Sequence, residues 1–288
     1  MLDIHHFSYG LLTPLLAYTM SVTGCLLGLQ CAARARTGES RGGWIVAAAI
    51  SIGGTGIWVM HFIAMLGFSI RGTEIRYDVP LTLVSAVTAM AVVGIGLVIV
   101  IRPQPTVLGL LTGGTFTGIG VGAMHYTGMY AMKSDADIAY DSTLVVLSMV
   151  IAVVAATVAL WFTLRVTGFL ATVAAALIMG IAVCGMHYTG MASMHAHRND
   201  HAMPPSGTGA MELIAPVIVV ISVVSMLLLI SVSLTDIDRS IELPPLKLSN
   251  ARTESAAARR VSIAQPEPLE PATAYWPTIE ISDRPRPK

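Results

Sequence analysis

Charge is what this chain has least of. Only 12% of its 288 residues are Asp, Glu, Lys or Arg, against about 25% in soluble domains. The 17 basic and 17 acidic residues cancel. A chain without a basic excess lacks the surface that a phosphate backbone requires, which excludes nucleic acid as a partner. Cysteine is scarce too. Cys25, Cys31 and Cys184 all sit in apolar runs with no C-x-x-C spacing, so they are expected to be buried free thiols rather than a disulfide framework. The N-terminus lacks the basic start and short apolar run of a cleavable signal peptide, and insertion is expected from the first helix itself. The apolar stretches also lack any carboxylate, lysine or serine–histidine pair for acid–base work. The expectation is therefore not an enzyme.

What is abundant is hydrocarbon. Apolar residues make up 54% of the chain and the mean hydropathy is +0.71. Crossing a bilayer as a helix takes about 20 apolar residues. Seven stretches qualify, near 9–31, 44–70, 79–101, 107–132, 143–164, 169–194 and 213–235, and none contains a full charge. The predicted fold is an all-α polytopic membrane bundle of seven transmembrane helices, embedded in the lipid bilayer over residues 1–238. The second, fourth and sixth helices are glycine-rich. Small residues let helix backbones approach closely in lipid, so these three are expected to form the packed interior. The third, fifth and seventh helices, richer in Val, Leu and Ile, are expected to face lipid more.

Basic residues set orientation. Arg34, Arg36, Arg41, Arg102, Arg165, Arg239, Lys247 and Arg252 fall on one side, and Arg71, Arg76, Lys133 and Arg198 on the other. That places the N-terminus outside and the C-terminus in the cytoplasm of a plasma (inner) membrane. The tail, residues 239–288, changes character. Eight of the 15 prolines lie between Pro244 and Pro287, and the segment reads as a disordered cytoplasmic tail. Arg259-Arg260-Val261-Ser262 within it matches a short phosphorylation pattern.

One pattern occurs three times. Met60-His61-x-x-x-Met65, Met124-His125-x-x-x-Met129 and Met186-His187-x-x-x-Met191 are separated by 64 and 62 residues from histidine to histidine. They mark a two-helix repeat of about 63 residues. Residues i and i+4 share a helix face, so each histidine points with the second methionine of its copy: His61 with Met65, His125 with Met129, His187 with Met191. Met60, Met124 and Met186 sit about 100° away, where they reach a helix interface or pack on a neighbour. The three helices run the same way and carry their histidines at one depth. Around one axis, three imidazoles and three thioethers would converge. Polar rings in hydrocarbon are costly, and three at matched positions imply one shared site.

That donor set is soft and neutral. Thioethers select Cu(I), and imidazole also suits copper. Zinc accepts three imidazoles but rarely methionine, and haem with His or Met axial ligands is a further alternative. Cys184, three residues before His187, is a minor ligand candidate. A purely structural reading competes, in which the hydroxyls of Tyr126, Tyr188, Thr127 and Thr189 satisfy the rings. His5, His6, His195, His197 and His201, with Met194 and Met203, fall outside in this topology, either as a metal-collecting surface or as ordinary loop residues.

The second and third copies read Met-His-Tyr-Thr-Gly-Met. With seven helices around them, they make residues 5–235 resemble the MHYT domain, an integral membrane sensor module of bacterial signalling proteins. Phe62 and Ile63 replace Tyr and Thr in the first copy. The resemblance implies that the Met and His residues bind copper and through it sense oxygen, carbon monoxide or nitric oxide. Members of the family often continue into cytoplasmic output domains. A tail of about 50 residues cannot hold one, so the expected recipient is a separate cytoplasmic signalling partner. The alternative function is copper transport or delivery, since transporters also carry internal repeats.

Overall fold

A computed structural model of the protein describes residues 2–37, 40–198 and 205–241. Among the described residues, seven helices are long and apolar enough to cross a membrane. They are α1 (Leu12–Thr37), α2 (Arg41–Leu66), α3 (Val79–Val100), α4 (Val107–Tyr130), α5 (Ser142–Arg165), α6 (Phe169–Ala192) and α7 (Ala210–Ile241). Side chains such as Val84, Val87, Val98, Val150, Val154 and Ile181 are exposed on their outer faces, which is where lipid contacts a membrane bundle. The last helix runs to Ile241, beyond the expected end at 235, and takes in the first three residues assigned to the tail. Residues 242–288 and the Arg259-Arg260-Val261-Ser262 pattern lie outside the described residues.

The first six helices close a ring. α1 packs on α2 and α6, α2 on α3, α3 on α4, α4 on α5 and α5 on α6. Small residues bring the backbones together. A Cβ on Gly24 of α1 would strike the backbone of Gly56 in α2, and one on Gly53 would lie 2.6 Å from the Ala89 carbonyl oxygen of α3. The middle of α2, Ile50–Val59, is wound as a π-helix. It runs through Gly53-Gly54-Thr55-Gly56, where three of four residues have no side chain to resist the looser turn. α7 lies outside the ring. Its Ser225 hydroxyl is 2.7 Å from that of Thr55, its Val232 carbonyl accepts from Arg34 at 2.9 Å, and a cleft of about 350 Å³ separates it from α1 and α2.

This placement revises the interior expected from glycine content. α2 is enclosed along nearly its whole length. α4 is buried mainly in its C-terminal half and α6 carries buried residues in both halves, while Val107, Leu108, Phe169 and Leu170 at their starts are exposed.

Short strands, which the apolar pattern did not predict, join the helices at the histidine end. β1 (Ile4–His5) pairs with β2 (Ser69–Ile70), β3 (Arg76–Tyr77) with β4 (Met132–Lys133), and β5 (Ala136–Tyr140) with β6 (Met194–Arg198), all antiparallel. A further strand, β7 (Thr208–Gly209), adds to β3. The structural repeat is therefore strand–helix–helix–strand, closed on itself by its own strand pair. Equivalent backbone bonds recur in all three copies. The amides of Ser8, Asp78 and Asp141 donate to the carbonyls of Gly67, Ala131 and Ser193 at 2.9, 2.9 and 2.8 Å. Asp78 and Asp141 then cap α3 and α5, accepting from the amides of Leu81 and of Thr143 and Leu144. Those amides, Leu144 first, hold the Asp141 carboxyl below its ordinary pKa.

Candidate metal centre

Each motif histidine lies five residues before the last residue of its helix, Leu66, Tyr130 or Ala192. At 1.5 Å per residue this is about 7–8 Å below the strand layer. The matched depth follows from matched spacing, and ring closure turns all three faces inward.

The imidazoles meet. Nδ1 of His61 is 3.0 Å from Nδ1 of His187 and 3.1 Å from Nδ1 of His125. The three rings stand nearly perpendicular to one another, with centroids 4.9, 4.9 and 5.1 Å apart. All three are at most 1% exposed. Three ligand nitrogens within 4.8 Å of one another form a group able to hold a metal ion. Among the described residues no carboxylate or cysteine joins it, so Cys184, half-buried on the same helix, is not a member.

Protons expose a conflict in this trio. A neutral imidazole carries one N–H and one lone pair. Nε2 of His61 and of His125 is buried with no hydrogen-bond partner. If His61 carries its proton on Nε2, that N–H is unpartnered. If the proton is on Nδ1, His125 must either aim a second N–H at it from 3.1 Å or hold its own proton on the unpartnered Nε2. Every assignment leaves a conflict, and a dry unpaired donor costs about 1–3 kcal/mol. A cation at the centre would take all three lone pairs at once. The residues therefore fit a metal, with one departure from common practice. Metal-bound histidines usually donate their outer N–H to a carboxylate or carbonyl, and His61 and His125 do not.

Glycine explains what those outer edges meet instead. A Cβ on Gly128 of α4 would come within 2.6 Å of Nε2 of His61, and one on Gly190 of α6 would strike Nε2 of His125. These are the glycines of Met-His-Tyr-Thr-Gly-Met, three residues after each histidine. In the first copy the same position is Ala64. Sequence reasoning assigned glycine to helix packing in general. The signal for a ring seat was its fixed offset from histidine in two copies.

The residue after each histidine packs against an aromatic of the strand layer. Phe62 meets Tyr77, Tyr126 meets Tyr140 and Tyr188 meets Phe7, with centroids 6.0, 6.2 and 5.6 Å apart. Phe7, Tyr77 and Tyr140 each directly precede Ser8, Asp78 and Asp141, a second threefold pattern that the apolar stretches masked. The hydroxyl-network reading fails at its tyrosines. The Tyr126 hydroxyl pairs with Ser148 at 2.6 Å, and the Tyr188 hydroxyl is buried without a partner.

All six motif methionines, Met60, Met65, Met124, Met129, Met186 and Met191, are buried. Met186 also lines an apolar cavity of about 50 Å³ with Ile52, Ile57, Val121 and Met179. The outer histidines do not assemble. On β6, His195 and His197 are exposed while Met194 is turned inward. His5 is exposed, and His6 is half-buried against Phe68, where burial lowers its pKa. His201 and Met203 lie outside the described residues.

A closed ring of three helix pairs, each delivering one histidine to a shared buried group, defines an internally repeated membrane bundle with one axial site. The profile of the bacterial signalling protein N-terminal repeat, MHYT, matches residues 54–113, 118–176 and 180–237, more than half of the chain. The chain belongs to this family. It is 35% identical over 65% of its length to the bifunctional diguanylate cyclase/cyclic di-GMP phosphodiesterase MucR of Pseudomonas aeruginosa. It is 38% identical over 49% of its length to the cyclic di-GMP phosphodiesterase NbdA of the same organism, and 30% identical over 70% to the signaling protein YkoW of Bacillus subtilis. It spans only 28%, 19% and 26% of the lengths of these relatives. No solved structure matches it significantly.

Proposed function

We propose that the protein is a membrane sensor whose receptor site is a copper ion held by His61, His125 and His187, with Met65, Met129 and Met191 on the same helix faces and Met60, Met124 and Met186 beside them. The single observation that carries this reading is the convergence of three buried Nδ1 atoms in a group that no acid joins among the described residues. Charge favours a monovalent ion there. The Born cost of an uncompensated charge grows as its square, so a divalent ion costs about four times as much as a monovalent one. Cu(I) is the monovalent ion that imidazole and thioether both suit. When bound, copper supplies a soft, redox-active centre that can take oxygen, carbon monoxide or nitric oxide as a further ligand.

The chain's own residues hold the site dry and connect it to the helices. His61 rests on Gly128 and His125 on Gly190, so displacement of a ring presses directly on the next helix backbone. A ligand produces a signal only if it binds two arrangements of these helices differently. The cavity beside Met186 suits a small apolar molecule. Its two hydroxyls, Thr117 and Thr163, are already bonded to the carbonyls of Val92 and Leu160, and apolar cavities of this kind stay dry. The excess of arginine at the opposite end supports a cytoplasmic C-terminus and a cytoplasmic recipient for the signal.

Elemental analysis of the purified chain after copper loading tests the reading. One copper per chain is expected, falling to background in His125→Ala. A chain that stays metal-free after loading would refute it.

A further inference from the structure

We propose a second site, at the end of the bundle opposite the histidines, that binds a phosphate-bearing anion through Arg36, Arg41 and Arg102. The end of α1 brings Arg36, the start of α2 brings Arg41 and the connection from α3 to α4 brings Arg102 to the wall of one cavity of about 310 Å³. Its remaining wall is apolar and includes Ile101, Pro103 and Leu164. None of the lining residues is acidic, and none of the three arginines forms an ion pair among the described residues.

Arg36 is fixed in place. Its guanidinium donates to the carbonyls of Leu164 and Val166 at the end of α5, and its Nε is buried with no partner. Arg41 and Arg102 are exposed. Three guanidinium groups around one small space repel one another, and the apolar wall strengthens that repulsion. A phosphate relieves it. The group is anionic, and its oxygens match the planar fork of arginine. The cavity lies where transmembrane helices end, at the depth of lipid headgroups, and basic pockets between such helices bind anionic headgroups. The shared chemistry is a phosphate group, supplied by an anionic phospholipid or by a soluble phosphate. The site is built at the other end of the same ring of helices and uses none of the metal-site residues, so it stands or falls independently of copper.

The test uses the full chain, delipidated in detergent, with binding followed by thermal melting and native mass spectrometry. The probes are phosphatidylglycerol, phosphatidylcholine and inorganic phosphate. Phosphatidylglycerol is expected to bind in preference to phosphatidylcholine and to weaken with salt. Arg41→Gln and Arg102→Gln should each weaken it roughly tenfold, and Arg165→Gln, which does not line the cavity, should leave it unchanged. Saturation by inorganic phosphate with no added affinity from the lipid would assign the site to a soluble ligand and still uphold it. Equal binding of both lipids, or unchanged binding in the Arg41→Gln/Arg102→Gln variant, would overturn it. Should that variant fail to fold, the salt dependence of the unmodified chain decides, and salt-insensitive binding overturns the proposal.

Discussion

The first motif helix and the other two deliver the same side chain to the same point by different means. α4 and α6 are continuous α-helices, exposed to lipid at their starts and buried at their histidine ends. α2 is enclosed throughout, wound as a π-helix over Ile50–Val59, and touched on its outer side by α7 through Thr55. Where α4 and α6 seat a neighbouring imidazole on glycine, α2 carries Ala64. Threefold likeness is thus kept within one layer, at the histidines and the strand cap above them. It is lost below, where α7 lies against α1 and α2. Selection of a site constrains only the residues that meet there, and the rest of each repeat is free to diverge.

The comparison can be broken most severely at the rings themselves. His61→Ala, His125→Ala and His187→Ala should each abolish copper retention, read by elemental analysis, and equal losses would show that the three copies contribute to one site. Next come the seats. Gly128→Ala and Gly190→Ala each force a methyl group into an imidazole, and overpacking of this kind costs about 1–3 kcal/mol. Thermal melting should fall and copper affinity with it, whereas Ala64→Gly in the first copy should leave copper in place. A smaller change separates α2 from its outer neighbour. Thr55→Val removes the bond to Ser225, and interhelical hydrogen bonds in membranes average about 0.6 kcal/mol; a slight drop in melting temperature with copper unchanged is expected. The least effect should come from Gly185→Ala. Nothing lies within 4 Å of its Cβ position, so the variant should be as stable as the parent or up to about 1 kcal/mol more so.

The histidine site was legible in the sequence because depth and direction follow from spacing alone. His61, His125 and His187 recur at near-equal intervals in helices of like length, and closing the ring brings them together. The ends of the helices were less legible. Residues 67–70, 131–132 and 193–194 are apolar enough to read as helix, yet they turn into short strands once the carbonyls of Gly67, Ala131 and Ser193 accept from Ser8, Asp78 and Asp141, partners more than 50 residues away in sequence. Glycine content also misled. It predicts close approach somewhere along a helix but not where, and α4 and α6 proved exposed at their starts. The seat of each ring was hidden for a related reason, since a glycine that admits a neighbouring side chain looks the same in sequence as one that admits a backbone.

X-ray absorption at the copper edge of the loaded, purified chain tests the central claim most directly. Coordination by nitrogen and sulfur together, with the imidazole contribution lost in His61→Ala, His125→Ala and His187→Ala alike, is the predicted result. A copper shell made of oxygen alone, or one indifferent to all three substitutions, would contradict it.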